Sequence, residues 1–399
     1  MPRLSLGANR IYGEAAFEVL AKAQALEKQG KTVLHFEIGE PDMETPNHIV
    51  EAGVRAIHGN KTHYEPSLGL MELRNAVVDE VEATRGFRPQ VDQVVITPGL
   101  KPGIFFSMLA VIDPGDEVIF PDPGYPTYGS VTAMVGARPV PVPLLEENQF
   151  RMNPDDVRKR VTDRTKVIII NSPQNPTGSV MTEEELKEIH DIAKDRDIYV
   201  ISDEVYSKMT YNGSLAPSIS VHDRAKERCI LLDGFSKCYV MTGWRLGYMV
   251  VPVVMAERLR DYLVSAVSCT ASFTQWAGVE ALTGDQTFIA DMMDRFTRKR
   301  DRIVAGLNQV PGITCQVPQG AFYTFANIRG TGMTSQECSE FILNECRIAT
   351  VPGTAFGRAG EGYLRFSYAT SLDIIDQAVN TLQTAFQNRL NTKCQFNHI

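Results

Sequence analysis

The stretch SKCYVMTGWRLG, residues 236–247, decides the fold prediction because it places Lys237 directly after a buried strand. The apolar residues 229–232 before it are typical of such a strand. Loops at the carboxyl ends of strands in open α/β sheets are where ligands bind. Ser236 and Arg245 add a hydroxyl and a guanidinium, which suit a phosphate. A lysine amine beside a phosphate site suggests an imine with an aldehyde cofactor that carries a phosphate.

The chain before this stretch alternates between apolar strands and helices. Strands are predicted at residues 94–96, 117–120, 139–143, 166–171, 198–203 and 229–233. A helix is predicted at residues 183–195, where Thr182 and Glu185 form a capping box pattern. This alternation predicts an α/β fold with a mostly parallel sheet covered by helices on both faces.

The pattern changes from about residue 285. A long charged helix is predicted over residues 288–308 and a strand over residues 363–368, while a helix over 11–30 and a strand over 33–38 precede the sheet. We predict a large domain, residues 46–285, and a smaller α+β domain formed by residues 1–45 and 286–399. No internal repeat or flexible linker is visible, so the two domains are expected to pack tightly.

Composition and charge exclude several classes of function. The 399 residues are 43% hydrophobic and 22% charged, which is typical of a globular protein. The net charge is −8 and no basic block occurs, so nucleic acid is not an expected partner. No apolar run is long enough to cross a bilayer, and residues 1–18 lack a signal-peptide core, so no membrane association is expected.

The seven cysteines are scattered along the chain, and no two of them form a CxxC pair. Their odd number and irregular spacing favour reduced thiols and a cytoplasmic location, and they give no support for a zinc site. Cys238, beside Lys237, is interpreted as a buried thiol, with a reactive thiol as the alternative.

A glycine-containing turn, TPGLKPG at residues 97–103, leads from a strand into a helix. Free N–H groups and the helix dipole make such a turn a potential anion site. The backbone of Leu100 and Lys101 would supply the N–H groups. An ordinary α/β turn is the alternative interpretation, because many such loops have similar sequences.

Two buried charges are predicted in apolar strands. Asp203 closes one strand, and its burial costs free energy unless the carboxylate is paired. A protonated pyridine nitrogen would be a suitable partner, and a structural salt bridge is an equally open alternative. Arg365 lies within another strand, where it either pairs with an internal acid or binds a carboxylate ligand.

The order of these motifs resembles that of the class I and II aminotransferases, pyridoxal-phosphate enzymes of the aspartate aminotransferase superfamily and fold type I. The shared motifs are NPTG at 175–178, DEVY at 203–206, SK at 236–237, GWR at 243–245 and Arg365. The resemblance covers residues 39–368. It implies a seven-stranded sheet, pyridoxal 5′-phosphate as cofactor, amino-acid and 2-oxo-acid substrates and a homodimer with shared active sites.

The resemblance also implies a role for each site residue. Lys237 would form the imine with the cofactor aldehyde, Asp203 would pair with the pyridine nitrogen, and Asn175 and Tyr206 would donate to the phenolic oxygen. Lys237, Asp203 and Tyr206 are therefore the predicted catalytic residues. Neutral lysine is needed for proton transfer, and the nearby Arg245 favours a lowered pKa.

The remaining predicted contacts hold the cofactor ring, its phosphate and the substrate. Tyr125 stands where the family has a ring-stacking aromatic, commonly tryptophan. The predicted phosphate ligands are Ser236, Arg245, the backbone of Leu100 and Lys101, and Tyr64 from the neighbouring subunit. The predicted substrate ligands are Arg365, the Gly39 backbone and Asn175. No residue is identified as a second cation for a dicarboxylic substrate.

Three functions are compatible with these motifs. The first is an aminotransferase that works by a ping-pong exchange between an α-amino acid and a 2-oxo acid. The second is a lyase or decarboxylase, for example a carbon–sulfur β-lyase, which would use the same constellation because the cofactor does the chemistry. The third is a non-enzymatic regulator, which is disfavoured because no DNA-binding extension precedes the motifs.

Overall fold

The computed structural model describes residues 13–396, with side chains described up to residue 391. The helices are α1 (Ala15–Glu27), α2 (Asn47–His58), α3 (Met71–Arg85), α4 (Leu100–Val111), α5 (Pro126–Met134), α6 (Pro154–Arg158), α7 (Glu183–Asp195), α8 (Val253–Ala266), α9 (Ser272–Thr283), α10 (Thr287–Leu307), α11 (Ser335–Phe341) and α12 (Leu372–Phe396). The strands are β1 (Leu34–His35), β2 (Val94–Thr97), β3 (Glu117–Asp122), β4 (Arg138–Pro143), β5 (Thr165–Asn171), β6 (Tyr199–Asp203), β7 (Cys229–Gly234), β8 (Gly247–Val250), β9 (Tyr323–Asn327), β10 (Ile348–Ala349), β11 (Val351–Pro352) and β12 (Tyr363–Ser367).

The central sheet has seven strands in the order β2-β8-β7-β6-β5-β3-β4. Strands β3 to β7 pair in parallel, and β8 runs antiparallel to both of its neighbours. The buried run at residues 167–170 in β5 is apolar at every position because helices cover both faces of the sheet. The predicted α/β fold with a mostly parallel seven-stranded sheet is therefore confirmed.

Parallel pairing brings the carboxyl ends of four strands to one edge of this sheet. Strands β3, β5, β6 and β7 end at Asp122, Asn171, Asp203 and Gly234. Because each strand ends on the same side, loops that are far apart in sequence meet there. The edge is completed by Gly99, which has φ 86° and is the N-cap residue of α4, between β2 and that helix.

The two chain ends build the smaller sheets. Strand β1 pairs in parallel with β10, and β11, β12 and β9 form an antiparallel sheet in which Arg365 is opposite Phe325. Helices α10 and α12 pack against each other beside these strands. The division into domains at residues 46 and 285 remains a prediction.

Several sequence expectations need adjusted bounds. The strand predicted over residues 33–38 is only two residues long, because Phe36 leaves the β1 ladder: its carbonyl accepts from the Ser367 N–H on β12. The predicted helix 11–30 corresponds to α1, and residues 11 and 12 lie outside the described part of the chain. Strand β8 and helices α8 and α9 were not predicted.

Within residues 13–396, no helix has the length and apolarity needed to span a bilayer.

Candidate active site

A cavity of about 380 Å³ opens at the edge of the sheet where the four strands end. It is lined by eleven of the twelve predicted site residues: Gly39, Leu100, Lys101, Tyr125, Asn175, Asp203, Tyr206, Ser236, Lys237, Arg245 and Arg365. The exception is Tyr64, whose side chain is 86% exposed on the loop between α2 and α3. Its predicted contact with a neighbouring subunit remains a prediction.

Lys237 lies inside this cavity, three residues after Gly234, the last residue of β7. Its Nζ donates a hydrogen bond of 2.7 Å to the Gly39 carbonyl oxygen. Burial, together with the positive charges of Arg365 and Arg245, lowers the pKa of Lys237 from 10.5 to about 8, although Glu40 opposes the shift. The amine therefore has an appreciable neutral fraction near neutral pH, which a nucleophile or general base requires.

Asp203 is buried at the end of β6. Its Oδ2 accepts a 2.7 Å hydrogen bond from the Tyr128 hydroxyl, and its Oδ1 accepts a 3.4 Å bond from the Val205 N–H. Burial raises the pKa of Asp203 to about 6. Asp203 forms no ion pair with any side chain that the structure describes, so these residues give no support to the salt-bridge alternative. A bound cation would hold this carboxylate in its charged form.

Arg365 is buried on β12 without a counter-ion among the described side chains. Its Nη2 donates to the Glu37 carbonyl oxygen, and its Nη1 donates to Asn175 Oδ1 at 3.2 Å. Its Nε is buried and has no partner in the described residues. The rings of Tyr323 and Phe356 lie 4.7 and 4.9 Å from the guanidinium carbon. This arrangement fits a carboxylate ligand, and no acid among the described residues pairs with Arg365.

Gly39 approaches the cavity more closely than another residue could. A Cβ at this position would lie 2.2 Å from the Tyr323 hydroxyl, and that hydroxyl is 2.9 Å from the Tyr206 hydroxyl. Only glycine lets the backbone pass there, and its carbonyl holds Lys237 Nζ. The predicted contact of this backbone with substrate remains a prediction.

A second part of the cavity is built to bind an anion. Leu100 and Lys101 begin α4, whose first N–H groups have no partner within the helix. The guanidinium of Arg245 covers this helix end: a Cβ on Gly99 would lie 2.2 Å from Arg245 Nη2. Arg245 is exposed, and its Nη1 donates to the Thr242 carbonyl at 2.7 Å. A helix N-terminus and an adjacent arginine together suit a phosphate.

The structure adds residues that the sequence analysis missed. Tyr128, which bonds Asp203, lies one helical turn after Tyr125 and could have been found from that spacing. Glu14 accepts hydrogen bonds from Lys101 Nζ and from the Tyr125 hydroxyl, the latter at 3.2 Å. Lys101 thus adds a cation at the cavity besides Lys237, Arg245 and Arg365, and this cation is paired with an acid. No sequence motif marks Glu14, because its partners are brought together only by folding.

Comparison with known proteins gives one consistent result. The profile of the family "Aminotransferase class I and II" matches residues 31–382. The aspartate aminotransferase of Pyrococcus horikoshii is 40% identical over 89% of this chain and 91% of its own length. The aromatic-amino-acid aminotransferase 2 of Thermococcus litoralis is 37% identical over 90% of this chain and 92% of its own length.

Solved structures agree with these relatives. The aspartate aminotransferase of Thermus thermophilus with maleate superposes with a TM-score of 0.92 at 33% identity. The superposition covers 96% of this chain and 100% of that one. A superposition of this extent includes both the central sheet and the smaller sheets.

Proposed function

Since this chain belongs to the class I and II aminotransferase family, we propose that it is a transaminase that moves the amino group of an α-amino acid to a 2-oxo acid with pyridoxal 5′-phosphate. The observation that carries the proposal is the convergence of three charged side chains in one cavity, the buried Asp203 and Arg365 and the half-buried Lys237, each without an ion-pair partner among the described residues. The names of the relatives, aspartate and aromatic aminotransferases, favour amino-acid substrates.

The cavity fits pyridoxal phosphate at three points. The anion site at the start of α4, with Arg245 and Ser236, would hold the phosphate. The Asp203 carboxylate would pair with the protonated ring nitrogen, and Lys237 would form the imine with the aldehyde. When bound, this cofactor supplies an electron sink for the charge that develops on the substrate Cα.

The side chains around the cofactor site would then bind and deprotonate the substrate. Arg365 would hold the α-carboxylate with two parallel N–H···O bonds, because its guanidinium is buried and its Nε is unpartnered. This contact orients the Cα–H bond, and the neutral Nζ of Lys237 would take that proton. Tyr206 and Asn175 would donate to the phenolic oxygen, and Tyr125 would cover one face of the ring.

The substrate side chain would meet the pair formed by Lys101 and Glu14 at the cavity. A distal carboxylate on the donor would compete with Glu14 for the Lys101 ammonium. A neutral side chain would leave the pair intact. The balance between dicarboxylic and neutral donors should therefore depend on how readily Glu14 releases Lys101.

We also propose that the protein is a cytoplasmic homodimer. All six cysteines of the described residues are free thiols, in keeping with a reducing compartment. Tyr64 is exposed, as expected if it reaches the phosphate site of the neighbouring subunit. Sedimentation of the active enzyme should show a dimer, and Tyr64→Phe should weaken pyridoxal phosphate binding without changing sedimentation.

A donor-by-acceptor assay tests the transaminase proposal against the lyase alternative. The purified holoenzyme is incubated with single amino acids, including aspartate, phenylalanine and cysteine, with and without 2-oxoglutarate or pyruvate. We expect more than one equivalent of product per active site only when a 2-oxo acid is present, and no product with Lys237→Ala. Release of ammonia and pyruvate from an amino acid without any acceptor would contradict the proposal.

A further inference from the structure

Three side chains with metal-binding atoms meet at the edge of the sheet opposite the cavity, and a fourth, that of His222, lies next to them. His190 lies on α7, Cys229 is the first residue of β7, and His222 and Asp223 lie at the end of the short 3₁₀ helix Ile219–His222. One ligand atom each from His190, Asp223 and Cys229 lies within 4.8 Å of the other two. The ring of His222 is 5.4 Å from that of His190, centroid to centroid. The sequence spacing of these residues does not match any common zinc motif.

Both histidines have a buried ring nitrogen that makes no hydrogen bond to the described residues. The Nε2 atoms of His190 and His222 have no hydrogen-bond partner among the residues that the structure describes. His190 is only 6% exposed, and the nearest acid to its Nδ1 is Asp191, at 3.7 Å. A buried ring nitrogen without a partner costs free energy, so each unused nitrogen requires an explanation.

The other two groups are held in place by the backbone. Asp223 Oδ1 accepts from the Ala225 N–H at 2.8 Å, and its Oδ2 accepts from the N–H groups of Arg228 and Cys229, both at 2.9 Å. The thiol of Cys229 is fully buried, and its hydrogen bond to the Ile219 carbonyl is long, at 3.9 Å. Backbone donors therefore orient the carboxylate before any ion binds, whereas the thiol makes only a long hydrogen bond to the backbone.

We propose that His190, His222, Asp223 and Cys229 bind one zinc ion. One thiolate, two imidazoles and one carboxylate are a donor set that zinc prefers, in tetrahedral geometry with bonds of about 2.0–2.3 Å. Ligand atoms around such an ion are about 3.3–3.8 Å apart. The spacing of up to 4.8 Å among the ligand atoms of His190, Asp223 and Cys229 therefore requires a small inward movement of these side chains. His222 lies outside that group, so its ring must also turn toward the other three ligands.

The charges around the site allow this ion. The Cys229 thiol would lose its proton to solvent on binding, so the thiolate and the Asp223 carboxylate together balance the two positive charges. The nearby cation, Arg228, already pairs with Asp197 at 3.5 Å and with Glu227 at 3.1 Å. The site is also separate from the cavity, because β7 runs six residues, roughly 20 Å, between Cys229 and the cavity loop. The ion would join α7 to β7 and have no role in catalysis.

Cobalt(II) titration of the holoenzyme tests the site, because tetrahedral cobalt with a thiolate ligand has a charge-transfer band and visible d–d bands. The enzyme is first dialysed against chelator and its metal content is measured. We expect one equivalent of cobalt with a thiolate band, displaced by one equivalent of zinc. Cys229→Ser and His222→Ala should each weaken binding by about tenfold or more. The control Cys269→Ser should keep one equivalent and the band.

His222 is partly exposed, so His222→Ala provides a test even where Cys229→Ser fails to fold. Circular dichroism establishes that each variant is folded. Absence of a thiolate–cobalt band in the wild-type enzyme would overturn the proposal. Unchanged cobalt affinity and an unchanged band in folded His222→Ala would exclude His222 and overturn the four-ligand site.

Discussion

Two groups of charged side chains lie side by side in this protein, and they differ in whether the charges have ion-pair partners. Asp203 and Glu204 are consecutive and both buried, but only Glu204 has a cationic partner: its Oε2 is 3.1 Å from Arg85 Nη2. Arg85 is also 2.5 Å from Asp233, and Ser202 and Ser218 bond the other oxygen of Glu204. In the cavity, Asp203, Lys237 and Arg365 have no such partners in the described chain.

This difference distinguishes charges that stabilise the fold from charges that are available to bind a ligand. A buried charge that is paired and hydrogen-bonded holds elements together, here α3 with the ends of β6 and β7. A buried charge that is left unpaired destabilises the ligand-free protein. This cost is offset when a ligand of opposite charge binds. The predictions below follow from this contrast, in order of decreasing effect.

Removing the charge of Asp203 should have the largest effect on activity. We expect Asp203→Asn to lower kcat by about 10⁴-fold, or about 5.5 kcal/mol, because the ring nitrogen loses the carboxylate that keeps it protonated. Steady-state kinetics measures this. Glu204→Gln, one residue away, is the matched control and should reduce stability much more than kcat. Equal losses of kcat in the two variants would contradict the contrast.

The same substitution should not destabilise the chain without cofactor. Burial raises the pKa of Asp203 from 3.8 to about 6, so the folded state binds this proton more tightly than the unfolded state. The ionised Asp203 carboxylate therefore lowers the stability of the folded state as pH rises through this range, and this loss is complete above pH 6. At pH 7, Asp203→Asn apoenzyme should be at least as resistant to denaturant as the wild type.

Breaking the paired cluster should have the largest effect on stability. We expect Arg85→Met to lower the free energy of unfolding by about 4 kcal/mol, because two buried carboxylates lose their cation. Urea denaturation of the apoenzyme measures this. Arg88, which is exposed and pairs with Asp79 and Glu82, is the control, and Arg88→Met should change stability little. Similar losses in both variants would show that the Arg85 cluster is not a structural centre.

Changing the carboxylate-binding group should have an intermediate effect. We expect Arg365→Lys to lower kcat/KM by about 10²-fold, mostly through KM, because lysine cannot make two parallel bonds. Stability should not fall, since Arg365 has no ion pair to lose among the described residues. Arg300→Lys is a matched control: that guanidinium also stacks on a tyrosine ring, Tyr211 at 4.3 Å, but lies outside the cavity. A loss confined to kcat would argue against a substrate-binding role.

The pH dependence of Lys237 should give the smallest effect. Its pKa is lowered to about 8, so about one tenth of the amine is neutral at pH 7 and most of it at pH 9. The rate at which apoenzyme reacts with pyridoxal phosphate should therefore rise about tenfold over this range and level off. Nα-acetyl-lysine, an unburied amine, should show a rate that still rises at pH 9. An enzyme profile that also keeps rising would contradict the lowered pKa.

The sequence predicted the central sheet and most of the cavity for a physical reason. Continuous apolar strands indicate a sheet covered on both faces, and parallel strands gather their following loops at one edge. Asn175, Asp203 and Lys237 could therefore be placed together from their positions after strands. The resemblance to a family then assigned their roles.

Contacts between unrelated segments could not be predicted in this way. Glu14 and Lys101 are 87 residues apart, and Arg85 and Asp233 are 148 residues apart. Neither pair belongs to a motif, and each depends on how helices dock on the folded sheet. The same holds for His190 and Cys229, whose proximity is visible only in three dimensions.

The most direct test of the account is chemical trapping of the cofactor. The holoenzyme is reduced with sodium borohydride, digested and mapped by mass spectrometry. We predict one phosphopyridoxyl group per chain, attached to Lys237, and none in Lys237→Ala. A label on another lysine such as Lys101, or no label in an active enzyme, would contradict the account.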